Sequence, residues 1–157
     1  MQNTPAVRFA AAYALLTASH EAADYWVQQD RDAVVKGRPG SEGRAACARH
    51  VTSYVATQAL ALTAGAGLLG LRLDWRRAAA GLAVSALTHY AADRCAGRWS
   101  ETGSDAPAVV RLAHWTGKTG WLTRDRGAGP LLDQAWHKAW IAAAALVVAG
   151  SAGPEER

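Results

Sequence analysis

The sequence predicts an all-α protein, an antiparallel four-helix bundle set in a membrane, with a long loop between helices three and four. Three observations predict it. Four Ala- and Leu-rich segments contain no Pro and show no sustained period-two alternation, which favours helix over strand. Half of the 157 residues are hydrophobic and 19% are charged, a lower charged share than in average soluble domains. The aromatic set is seven Trp and four Tyr against one Phe, and Trp and Tyr are the rings that gather at membrane–water interfaces.

The first helix is expected over residues 6–27. Arg8 stands ahead of its apolar part and no clean leader-cleavage site follows, so this segment is read as a retained span. The second helix is expected over residues 45–71. Its stretch from Val51 to Leu71 holds no Asp, Glu, Lys or Arg, enough to cross a hydrocarbon core of roughly 30 Å. The third is expected over residues 77–96 and the fourth over residues 131–150, each with a shorter uncharged stretch. Residues 28–44 read as a polar, turn-rich loop around Lys36-Gly37-Arg38-Pro39-Gly40-Ser41. Residues 72–76 read as a short turn. Residues 97–129 form the long loop, with a short helix expected near residues 107–114. Residues 1–150 are taken as one domain, and residues 151–157 as a disordered tail. The mean hydropathy of −0.07 is low for a membrane protein; Ala-rich spans and inward-facing polar residues would lower it. A soluble helical bundle is the competing expectation.

The net charge is +4. The basic residues lie between the apolar stretches rather than in one run, which fits membrane flanks better than a nucleic-acid face. More of them fall in the two long connections than at the opposite ends. That places the long connections in the cytoplasm and makes the chain a multi-pass inner-membrane protein. Cys47 and Cys95 are too few for a disulfide framework; small buried thiols are expected, with a soft ligand or a disulfide as the alternatives. Gly117-Lys118-Thr119 lacks the upstream Gly and the strand that a phosphate loop needs. His114 is expected as a loop residue.

The chemistry-bearing pattern is a repeated pairing of His and Asp four residues apart: His20 with Asp24, His89 with Asp93, and Asp133 with His137. Residues at i and i+4 share a helix face. Gln28 extends the first stripe, Gln134 stands before His137, and His50 falls near the start of the second helix. In an up-down-up-down bundle these sets all come to one end. His20, His50, His89 and His137, with Asp24, Asp93 and Asp133, then make a candidate site for one or two divalent ions of the zinc, manganese or iron type. Asp24, Asp93, Asp133, Gln28 and Gln134 would be the catalytic candidates, the carboxylates as ligands, orienting groups or base, the amides holding water or substrate. The competing reading is that each pair ties helices together and does no chemistry.

The segments His20 to Gln28, Leu87 to Asp93 and Leu132 to His137, with His50, resemble the motifs of the bacterial membrane family called domain of unknown function 3307, in its actinobacterial and mobile-element versions. The resemblance covers most of the chain in order and spacing. It implies a multi-span membrane protein and no established activity. The pattern is also loosely similar to membrane-bound metal-dependent hydrolases. The expected function is a membrane protein with a metal-binding His/Asp site at its cytoplasmic end, acting as a metal-dependent hydrolase on an amphiphilic small molecule among membrane lipids, with no nucleic-acid partner. The alternative is a non-enzymatic membrane accessory protein.

Overall fold

The computed structural model describes residues 3–150, and every regular element among them is helical. Helix α1 (Pro5–Ala22) starts where capping chemistry dictates. Thr4 accepts the Val7 N–H through its hydroxyl at 3.3 Å, and Pro5 occupies the first helical position. The helix runs on into wider π-type turns over Ala23–Val27, closed by the Gln28 N–H to the Ala23 carbonyl at 2.9 Å. A short helix α2 (Asp30–Ala33) follows.

Helix α3 (Gly40–Leu69) opens at a glycine with φ +89°. It ends at Gly70, whose φ of +64° lets Gly70 donate to Gly67 at 3.3 Å and Leu71 donate to Ala66 at 2.8 Å. These paired bonds satisfy carbonyls that a helix end would otherwise leave bare. Helix α4 (Trp75–Asp93) is capped by Asp74, whose carboxylate accepts from the Arg76 and Arg77 amides at 2.8 and 3.3 Å. Helices α5 (Ala108–Ala113) and α6 (Thr119–Arg124) meet at a kink within His114–Lys118, where Gly117 takes φ +83°, and α7 spans Ala128–Ala149.

Four long helices therefore match the four expected segments. Two connections differ from expectation. Helix α3 reaches back to Gly40, into the stretch read as loop. Residues 97–129 are structured around α5 and α6, with only the first of these expected. The tail 151–157 lies outside the described residues.

The chain divides into two compact units. The first comprises the described parts of Met1–Gln28, Thr52–Leu87 and Lys138–Arg157; the second comprises Gln29–Val51 and Thr88–His137. The core of the first unit holds Ala12 and Leu16 of α1, Leu62 of α3, and Ile141, Ala144, Ala145 and Val148 of α7. The α7 set follows the i, i+3, i+4, i+7 spacing of a helical core stripe. At Gly81 of α4 a Cβ would stand 2.8 Å from the Ala144 carbonyl oxygen, so only glycine permits that backbone approach. The second unit has its own core of Cys95, Trp99, Ala106, Val110, Leu122 and Ala128. Gly129 lies under Trp99, where a Cβ would meet the indole at 2.8 Å.

No helix among the described residues is long and apolar enough to cross a membrane. The expected transmembrane helices rested on absence of charge, and absence of charge is not hydrophobicity. Residues 51–71 contain Thr52, Ser53, Thr57, Gln58 and Thr63 together with Gly65, Gly67 and Gly70.

Candidate metal centre

Each of four histidines sits on the buried stripe of its helix. On α3 the stripe is His50, Tyr54, Gln58 and Leu62; on α4 it is Gly81, Ser85, His89 and Asp93; on α7 it is His137, Ile141, Ala145 and Val148; on α1 it includes Leu16 and His20. All four imidazoles are at most 2% exposed. Histidine is rarely buried so completely and so repeatedly as plain core filling.

Three of them converge in the second unit. Nε2 of His50 and Nε2 of His89 lie 3.0 Å apart. Each lies 3.3 Å from the same carboxylate oxygen, Oδ2 of Asp93. The His137 ring packs against His89 with centroids 4.2 Å apart, and its Nε2 is 3.2 Å from Oδ2 of Asp133. Asp93 is 2% exposed. Its other oxygen, Oδ1, receives the Lys36 ammonium at 2.7 Å. Burial alone would raise the Asp93 carboxyl. The hydrogen bond from His89 and the charges of His89, Lys36 and His50 outweigh burial and hold it well below the usual carboxylate range.

Lys36 carries no helical periodicity, and its place in the site was not expected. Its segment is fixed from three sides. Arg94 donates to the carbonyl oxygens of Lys36 and Arg38. Gly37 comes so close to the turn after α4 that a Cβ there would stand 1.9 Å from the Ala96 carbonyl oxygen. Asp32 of α2, 4% exposed, pairs with the Arg49 guanidinium of α3 at 3.1 Å. That hydrogen bond lowers the Asp32 carboxyl and raises Arg49. The only sequence signal for this arrangement was a Lys-Gly step inside a turn-rich loop.

His20, Asp24, Gln28 and Gln134 complete the expected set. His20 and Asp24 belong to the first unit and make their own pair, Nε2 to Oδ2 at 3.7 Å, with the His20 ring edge-on to Tyr54 at 5.8 Å. Gln28 does not continue their stripe. The π-type turns change the helical register before it, and Gln28 itself is extended, with ψ 131°. Gln134 is half-buried on α7. Cys47 and Cys95 are free and buried, which excludes the disulfide alternative. Burial pushes both thiols up to about 12, so they stay protonated at neutral pH. His114 is half-buried in the segment before α6, with Nδ1 3.0 Å from the Thr119 hydroxyl.

Comparison with family models, with curated proteins and with solved structures gave no match to the chain.

Proposed function

We propose that the second unit holds a divalent ion of the zinc type at His50, His89 and Asp93, with His137 and Asp133 alongside, as the centre of a metal-dependent hydrolase. One observation carries this reading. Nε2 of His50, Nε2 of His89 and Oδ2 of Asp93 form a triangle with sides of 3.0, 3.3 and 3.3 Å. Donors at about 2.0–2.1 Å from a tetrahedral ion are about 3.3–3.4 Å from one another, so the three atoms match one face of such a tetrahedron. A catalytic ion keeps a fourth position open, and Asp93 and Asp133 line a cavity that would give access to it. A bound ion would supply Lewis acidity and a lowered pKa for water. Asp133, 21% exposed and paired with His137, is the carboxylate placed to take a proton. The proposal draws nothing from the His20–Asp24 pair of the first unit.

Membrane residence belongs to the same proposal. What supports it is the exposed surface of the first unit. On α1 that surface is Ala10, Ala14 and Ala18; on α3 it includes Thr52, Ala56, Leu60 and Leu68; on α4 it is Ala79, Ala80, Ala83 and Leu87 between residues 78 and 87; on α7 it is Ala139, Trp140 and Leu146 between residues 139 and 149. None is charged. The kinship with the membrane family of unknown function 3307 stays a proposal on the strength of its motifs.

The second reading, an ion-paired network that only fixes helix packing, is favoured by the Lys36–Asp93 contact, which balances the carboxylate without any ion. Elemental analysis of purified protein separates the two. The metal reading expects about one equivalent of metal in the parent and its loss in His89→Ala. Metal well below one equivalent, unchanged in His89→Ala and His50→Ala, would leave the packing network as the function of these residues.

A further inference from the structure

A cavity of about 560 Å³ adjoins the centre within the second unit. Small-molecule sites fall at roughly 300–1,000 Å³. Asp93 and Asp133 line it, so the carboxylates that pair with the buried imidazoles also form part of its wall. Trp99, Leu122 and Pro130 give it an apolar side, with Trp99 and Leu122 themselves almost fully buried. Its charged residues are Lys36, Arg126, Asp93, Asp125 and Asp133, a formal balance of one negative charge. Asp125 is already engaged, accepting from the Trp121 indole at 3.1 Å and the Gly127 amide at 2.8 Å. A divalent ion at His50, His89 and Asp93 reverses the balance to net positive. Bound through Oδ2, it would also weaken the hold of Asp93 on Lys36, whose ammonium sits on Oδ1 and lines the same cavity.

We propose that the metal-loaded cavity binds a small phosphate monoester, its dianionic head at Lys36 and Arg126 and an apolar body against Trp99 and Leu122. This rests on the metal reading above. Three cationic groups around one head select a dianion over a monocarboxylate, and the cavity volume is enough for a body of one ring.

The test is calorimetric titration of zinc-loaded full-length protein, its zinc content measured first, with phenyl phosphate, benzoate and benzylamine. Phenyl phosphate is expected to bind saturably and at least about tenfold tighter than benzoate, with no saturable benzylamine binding. Arg126→Gln, at an exposed position, is expected to weaken phenyl phosphate at least about fivefold without changing zinc content. Lys36→Met is expected to weaken it further while retaining zinc. Stoichiometric zinc with no saturable phenyl phosphate binding, or with benzylamine bound more tightly, overturns the cavity assignment and leaves the metal centre standing. Absence of zinc from the parent overturns the metal centre and the cavity assignment with it.

Discussion

Lys36 keeps the charge balance of the metal-free centre, and its removal should act in opposite directions on stability and on metal affinity. Its ammonium is 2.7 Å from Oδ1 of a carboxylate that is 3% exposed. Stripping that partner leaves Asp93 buried with only imidazoles beside it, at a cost of about 1–3 kcal/mol. For a metal ion the sign reverses. A unit charge about 5 Å from another contributes about 3 kcal/mol at an effective dielectric near 20, and here the two are both positive. Lys36→Met is therefore expected to bind zinc at least about tenfold more tightly while unfolding at lower urea in its metal-free form; Lys36→Arg should restore both. Competition with a chromophoric chelator measures the first and urea titration the second. Weaker zinc binding in Lys36→Met would show the ammonium acting by orientation rather than by charge. A second residue-scale prediction concerns Asp32. Its folded carboxyl lies below its ordinary value because of Arg49, so its contribution is complete above about pH 4 and disappears as the pH falls through the folded value. Asp32→Asn should be less stable than the parent in urea at pH 7, and the gap should be smaller at pH 3. An equal gap at both would mean the pair does not couple to folding. At this scale the histidines and their aspartates were legible because spacing of four on a helix fixes a shared face. Lys36 was not, because a turn has no period to read.

The four long helices were legible from Ala- and Leu-rich runs without Pro, while their caps at Thr4, Asp74 and Gly70 appear only in the structure. What escaped reading was register and tertiary fixation. The π-type turns after α1 take Gln28 off the His20 stripe, and no single residue there announces them. Residues 97–129 looked like a loop because Gly and Pro punctuate them, yet Trp99, Val110 and Leu122 bury enough apolar surface to build a second core. The segment from α2 to α3 is seated by one close approach that gives a sharp test. A Cβ on Gly37 would stand 1.9 Å from the Ala96 carbonyl oxygen, and backbone atoms cannot swing aside as a flexible side chain can. Gly37→Ala should cost about 1–3 kcal/mol as an overpacking strain. It should also displace Lys36, so its zinc affinity should rise toward that of Lys36→Met. Urea titration and chelator competition report the two effects. An unaltered stability would mean that the segment moves freely away from the turn after α4.

For the whole molecule, the exposed apolar positions of the first unit decide whether it meets a membrane. The answer cannot come from charge counting. Residues 51–71 have no formal charge, yet their hydroxyl, amide and glycine content keeps α3 below what a crossing helix needs. The all-α reading holds independently of the membrane because helix formation depends on propensity and periodicity, which Ala, Leu, Thr and Gln all allow, whereas membrane insertion depends on summed transfer free energy. Exposed Leu60, Leu68, Leu87 and Leu146 are 61–87% accessible. Each would gain roughly 1.5–3 kcal/mol on leaving water, enough together for vesicle attachment even where single helices fall short. The full chain is therefore expected to float with vesicles of mixed neutral and anionic lipid. The attachment should survive 1 M salt, which screens charge but not apolar contact. Replacing Leu60 and Leu68 with Glu should release it while leaving the zinc content of the second unit unchanged. Chain that stays in the aqueous fraction, or that leaves the vesicles at high salt, would remove the membrane from the proposed function and leave a metal centre whose phosphate ester arrives from water.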